Sequence, residues 1–187
     1  YSILERFAAK RFDAIIAATP KIASVFQAYS AKKVVNINNY PLLTELFELS
    51  PWENKTVDAG FVGAISSVRG VYELVRSLDY APHHKISIAG IFANPAIEKS
   101  IKSLDSWQYV DFLGQISRNQ VFELLAKTRV GVVTYLPAPN HTDSQPNKLF
   151  EYMSAGIPVV ASHFPLWKEI IEGNDCCLLY TSPSPRD

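Results

Sequence analysis

Residues 141–162 read HTDSQPNKLFEYMSAGIPVVAS. A polar loop gives way to a short helix over Asn147–Ser154. Gly156 then stands where a helix takes its C′ glycine, and Ile157–Ala161 reads as a strand of the buried, β-branched kind. A strand, Val130–Leu136, comes before the loop, and a helix, Pro165–Glu172, comes after the second strand. Strand, helix, strand and helix in close succession predict parallel pairing, because parallel neighbours need a crossover connection between them.

The same rhythm extends upstream. Val57–Ile65, Lys85–Phe92 and Gln108–Leu113 read as strands; Arg69–Leu78, Pro95–Leu104 and Arg118–Lys127 read as the helices between them. The expected fold class is α/β, a Rossmann-like parallel sheet with helices on both faces. Ahead of it, residues 2–12 have helical spacing and Asp13–Thr19 is a strand-length apolar run. Thr19-Pro20 offers an N-cap and first helical residue, and Lys33–Ile37 is a second short strand. The Asn38-Asn39-Tyr40-Pro41 break and the loop-like Ser50–Lys55 place a linker over residues 38–56.

Composition removes several classes of function. The 18 basic residues balance the 18 acidic ones, so there is no basic surface for nucleic acid. No apolar run reaches the roughly 18 residues of a spanning helix. Cys176 and Cys177 are sequence neighbours and supply no disulfide framework, so a reducing compartment is expected. His83, His84, His141 and His163 lack partners at ligand spacing, and no metal site is expected. With 187 residues against roughly 150 per domain, one domain plus part of a neighbour is expected.

Two loops carry groups suited to an anion. In Phe61-Val62-Gly63-Ala64-Ile65-Ser66-Ser67-Val68-Arg69-Gly70, a strand delivers Gly63, and Arg69 is placed at the start of the next helix, which suits a phosphate. The segment lacks the GxGxxG spacing of a nicotinamide-binding turn, and alone it reads first as a strand-to-helix turn with a solvated arginine. In the second loop, Asn147 and Lys148 occupy a helix's first turn, where unpaired N–H groups and the dipole attract anions. Glu151 shares their face, able to accept from two vicinal hydroxyls as on a ribose, and Asp143 lies in the loop before them. Taken singly, Glu151 reads as a partner of Lys148 or of the helix dipole, and Asp143 as a turn residue.

Taken together they resemble the retaining glycosyltransferases of family 4, whose two-domain GT-B fold binds a nucleotide sugar in its C-terminal half. In that family two acidic residues separated by seven others precede a small-residue helix end and a Gly-x-Pro-Val-x-x-Ser strand. Asp143, Glu151 and Ser154-Ala155-Gly156-Ile157-Pro158-Val159-Val160-Ala161-Ser162 follow that pattern. Phe61-Val62-Gly63 with Arg69-Gly70 resembles the family's phosphate turn, Phe112-Leu113-Gly114-Gln115-Ile116 its strand end beside the base, and Phe164–Ile171 its following helix.

The resemblance implies a division into residues 1–37, the end of an N-terminal acceptor domain; 38–56, an interdomain linker; and 57–176, the nucleotide-sugar-binding domain. It implies transfer of a hexosyl unit from a nucleoside-diphosphate sugar to a saccharide or lipid-linked acceptor, with no cofactor and no metal. Arg69 and Lys148 would stabilise the leaving diphosphate, together with Gly63 and Asn147. Asp143 would face the donor sugar and Glu151 would hold the ribose. Gly114, Gln115 and Ile116 would lie against the base through their main chain. The missing N-terminal GT-B domain would be the main protein partner. A cytoplasmic location is expected; Arg6, Lys10 and Arg11 could touch anionic lipid at the inner face of the membrane, but they read first as a solvated helix face.

The sequence also departs from the family. Asp143 stands where Glu is common. Gly63-Ala64 and Arg69-Gly70 replace Gly-Arg and Lys-Gly, which implies one basic phosphate ligand fewer, a loss Lys148 is placed to cover. Cys177 takes a glycine's position, and residues 177–187 are expected to be a non-native or disordered tail, so that the chain is a fragment at both ends. The rival readings are a GT-B nucleotide-sugar 2-epimerase and a non-catalytic α/β module. A receiver-like module would need acidic residues after its first strand, where this chain has Gly63-Ala64-Ile65-Ser66.

Overall fold

The β-branched runs pair in parallel throughout. The computed structural model describes residues 2–41, 50–138, 141–142, 144–173 and 178–180, and its strands form two sheets. In the smaller, β1 (Ile15–Ala17) pairs with β2 (Val34–Asn36) across α2 (Pro20–Ala28), with α1 (Ser2–Ala9) ahead of them. Thr19 caps α2, its hydroxyl accepting from the N–H of Ile22 at 3.2 Å.

The larger sheet uses β3 (Val57–Val62), β4 (Ile86–Ala89), β5 (Val110–Gly114), β6 (Thr128–Val133), β7 (Val159–Ser162) and β8 (Leu178–Tyr180). The intervening helices are α3 (Val71–Ser77), α4 (Pro95–Lys102), α5 (Arg118–Lys127), α6 (Asn147–Ser154) and α7 (Pro165–Glu172). Across the sheet the order is β5-β4-β3-β6-β7-β8. The chain thus steps outward from β3 to β5, returns to β3's other flank at β6, and steps outward again. A parallel sheet wound this way opens a crevice where the direction reverses, at the carboxyl ends of β3 and β6.

Each face has its own core. Phe61, Ile86 and Ile88 from the sheet close against Val71, Leu74 and Val75 of α3 and Ile101 of α4. On the other face Val133, Val159 and Ala161 meet Val121 and Leu125 of α5, Leu149 and Tyr152 of α6, and Trp167 and Ile171 of α7. All four residues of β4 are buried, as expected of a strand covered on both faces. Tyr152 ties the layers together. Its fully buried hydroxyl donates to the carbonyl of Gly60 at 3.3 Å and accepts from the N–H of Val62 at 3.2 Å, and burial pushes its phenol up.

Three expectations are corrected. Arg69 does not open a helix: Ser67–Arg69 is a 3-10 turn, Gly70 follows in the left-handed region at φ +66, and α3 begins at Val71. A side chain at Gly70 would collide with the carbonyl of Thr134, so only glycine fits this left-handed turn ahead of the helix. Second, Leu178–Tyr180 add a sixth strand alongside β7, Val160 opposite Leu178, so these residues of the expected tail continue the sheet. Third, strand bounds contract, with Ile65 making only an isolated bridge to Phe92. Residues 42–49 of the expected linker, and 177 and 181–187 of the tail, lie outside the described residues.

Candidate functional site

At the reversal point, Gly63 and Arg69 of one turn meet Lys148, which is distant from both in sequence. Gly63 leaves β3 with φ +138, and a side chain there would run into the Nζ and Cε of Lys148 and come within 3.2 Å of Arg69 Nη1. Lys148 reaches this place from the first turn of α6. Arg69 reaches it from the 3-10 turn, which is stitched to the segment after β6: Leu136 N–H donates to Val68 O at 2.9 Å and Thr134 Oγ1 to Gly70 O at 3.4 Å. Aromatic rings frame the two cations. Arg69 lies 5.4 Å from the Tyr135 centroid, and Lys148 Nζ lies 4.4 Å from that of Phe61 and 5.7 Å from that of Tyr135.

The Lys148 amine is buried and has no hydrogen-bond partner among the described residues. Burial, reinforced by the Arg69 charge, pushes its pKa down to about 7, against an upward pull from Glu151. A desolvated ammonium without an acceptor is an unfavourable arrangement that an anion at the same place would relieve. Burial likewise pushes the Tyr135 phenol up, with Arg69 opposing.

Glu151 shares the helix face with Lys148 but does not pair with it. Its Oε1 accepts from Arg118 Nη1 at 2.7 Å, the carboxylate 16% exposed and the guanidinium 41%. Arg118 is the first residue of α5, behind a capping box in which Ser117 Oγ accepts from Gln120 N–H and Gln120 Oε1 accepts from Ser117 N–H. Sequence reasoning did not find Arg118. Its only signal was its position two residues after Ile116 at a helix start.

Beyond Gly63 the crevice continues as a cavity of about 240 Å³, lined by Val62, Gly90, Ile91, Gln115, Ile116 and Val121 among others. Gly63, Gln115 and Ile116 are therefore brought together. Gly114 is not in that lining, and its carbonyl accepts from Gly90 N–H at 2.7 Å. Gly90, unremarked in the sequence, ends β4 as Gly63 follows β3 and Gly114 closes β5. Asn147 is exposed at the first position of α6, and Asp143 lies outside the described residues. The loop before α6 is anchored by Trp167, whose Nε1 donates to Ser144 O at 2.7 Å, and His141 lies against Tyr135 at 4.8 Å. Among the described residues there is no group of three or more His, Cys, Asp or Glu placed to hold a metal.

A second cavity, about 670 Å³, lies between the start of α2 and the C-terminal helices, with Lys21, Asn38, Tyr40, Gln145, Phe150 and Glu169 in its wall. Tyr40 meets Phe150 of α6 edge-on at 4.9 Å, and hydrogen bonds from Asn38 and Gln145 hold its phenol below the usual range.

This architecture is the Rossmann-like C-terminal half of the GT-B glycosyltransferases. The chain belongs to the glycosyl transferases group 1 family, whose model matches residues 56–187. It is similar in fold to Anabaena Alr3699/HepE in complex with UDP-glucose (20% identity, TM-score 0.75, covering 97% of this chain and 54% of that one). Sucrose-phosphate synthase (tll1590) from Thermosynechococcus elongatus is also similar (18%, TM-score 0.74, 100% and 49%). So is the C-terminal domain of the glycosyl transferase group 1 family protein LpcC from Francisella tularensis (18%, TM-score 0.57, 77% and 82%). The chain spans about half the length of the first two. No curated protein sequence matches it significantly.

Proposed function

We propose that this chain is the donor half of a retaining, family 4 glycosyltransferase that moves a hexosyl unit from a nucleoside-diphosphate sugar to a saccharide or lipid-linked acceptor. The observation that carries this reading is the buried, unpartnered Lys148 amine at Gly63, beside Arg69, at the reversal point of the sheet. When the bond from sugar to phosphate breaks, negative charge grows on the departing diphosphate. Lys148, already desolvated, and Arg69 beside it stabilise that charge more than water would. Gly63 lets the diphosphate approach the main chain, and the first-turn amides of α6 at Asn147 and Lys148 point toward it. Glu151 holds the ribose, the cavity at Gln115 and Ile116 takes the base, Gly114 supports that loop, and Asp143 faces the sugar. No cofactor or metal enters the step. The UDP-glucose bound by Alr3699/HepE is in keeping with such a donor.

In this reading residues 1–37 close the acceptor domain, 38–56 connect, and 57–176 form the donor domain. The exposed apolar side chains of the first unit, Ile3, Leu4, Phe7 and Ile16, face the remainder of the acceptor half. The whole enzyme works at the cytoplasmic side, touching the inner membrane face through Arg6, Lys10 and Arg11. Among the described residues no helix is long and apolar enough to cross a membrane. Calorimetry of the 187-residue chain with UDP- and GDP-sugars tests the donor site: weak binding abolished by Glu151→Ala and no transfer are expected. Absence of binding, or indifference to Glu151→Ala, overturns it.

A further inference from the structure

Lys148 and Glu151 are three residues apart on one helix, a spacing at which opposite charges ordinarily pair. They do not pair here. Lys148 Nζ has no hydrogen-bond partner among the described residues, while Glu151 is held from the neighbouring helix by Arg118 at 2.7 Å. Arg118 stands at the first residue of α5, fixed by the Ser117 and Gln120 capping box, so its guanidinium projects from a rigid end. A planar guanidinium fork matches a carboxylate better than a lysine amine does, and a carboxylate so engaged has less to offer a second cation.

We infer that Arg118 is a positioning residue: by holding Glu151 it keeps that carboxylate off Lys148 and leaves the lysine charge available to an incoming diphosphate. The inference rests on the donor reading for the ligand but not for the geometry. The charged and titratable groups around the Lys148 amine are Arg69 from the turn after β3, Tyr135 after β6, and Glu151 on its own helix. Among the described residues around it only Glu151 can neutralise it, and Arg118 governs which way Glu151 turns. Arg118 thus acts on the phosphate through two other residues, without touching it.

The test separates the two claims. In the ligand-free 187-residue chain with isotope-labelled lysine, the Lys148 amine is titrated by NMR in wild type, Arg118→Gln, Arg118→Lys and the double variant Arg118→Gln/Glu151→Gln. Freed from Arg118, Glu151 should fall back on Lys148 and raise its midpoint by about one pH unit. Arg118→Lys, which keeps a cation for Glu151, should stay near wild type, and the double variant should sit at or below it. Calorimetry with inorganic pyrophosphate should show affinity about tenfold weaker in Arg118→Gln and restored in the double variant; UDP binding, which also needs the Glu151 carboxylate, should stay weak. An unchanged Lys148 midpoint in Arg118→Gln overturns the inference, as does pyrophosphate affinity that stays low in the double variant. Wild-type chain that binds neither pyrophosphate nor UDP overturns the donor reading instead, and the ligand-free titration still decides the role of Arg118.

Discussion

The two ends of the crevice are built differently. Toward β4 and β5 it is neutral, made of Gly90, Ile91, Gln115 and Ile116 with the strand ends themselves. Toward α6 it is charged, made of Lys148, Arg69 and the Glu151–Arg118 pair. A flat, uncharged ligand group can be held by shape and main chain, whereas a diphosphate needs desolvated charge. The difference teaches that specificity and anion affinity are supplied by separate elements, which makes them separable by mutation.

Gly63 belongs to both ends, so Gly63→Val should do the most harm. The side chain displaces Lys148 and strains a backbone at φ +138, and UDP affinity should fall on the order of 100-fold or more in calorimetry. Lys148→Ala should strike only the charged end. Loss of one charge-assisted contact, about 1.5–3 kcal/mol, should weaken UDP and pyrophosphate roughly 10- to 100-fold while leaving uridine binding intact. Equal losses for uridine and pyrophosphate would dissolve the distinction between the ends.

Tyr152→Phe tests the joint between them. Without the hydroxyl, the Val62 N–H and Gly60 carbonyl lose a buried partner, and stability should drop about 1–3 kcal/mol in urea denaturation. Affinity for pyrophosphate should also vary with pH through Lys148, measured against Lys148→Ala to remove the ligand's own titration. The Lys148 amine of the free chain loses its proton as pH rises through about 7, so affinity should fall by up to about tenfold per unit above that point. Folding responds with the opposite sign. The folded pKa lies below the ordinary 10.5, so the unfolded chain binds more protons between about 7 and 10.5, and stability contributed by this group rises with pH across that window. Smallest of all, Ser117→Ala should cost about 1 kcal/mol by removing the α5 cap under the neutral end, read in the same denaturation experiment.

How much of this was legible depended on distance along the chain. The bounds of α5, α6 and α7 follow from local signals: Ser117 as a cap, Asn147 after Pro146, Pro165 in a first turn. The convergence of Gly63, Lys148 and Arg69 was anticipated from the family pattern and not from spacing. Sequence places Arg69 inside α3 because the left-handed turn at Gly70 packs against Thr134, 64 residues away, and no local pattern announces that contact. The Arg118–Glu151 pair spans 33 residues and two helices, and no local periodicity encodes it. Gly90 was overlooked because a lone glycine at a strand end reads as a turn. Leu178–Tyr180 were overlooked because a strand of three residues carries almost no periodicity.

The Tyr152 hydroxyl, joined to residues 90 and 92 positions earlier, also bears on how the molecule forms. Contacts this far apart are reached only after a large loop has closed, and they come late and slowly. As the chain emerges from the ribosome, Gly63 and Arg69 exist well before Lys148. The corner where Gly63 and Lys148 meet therefore closes late, as the seal set when the second half of the sheet docks on the first.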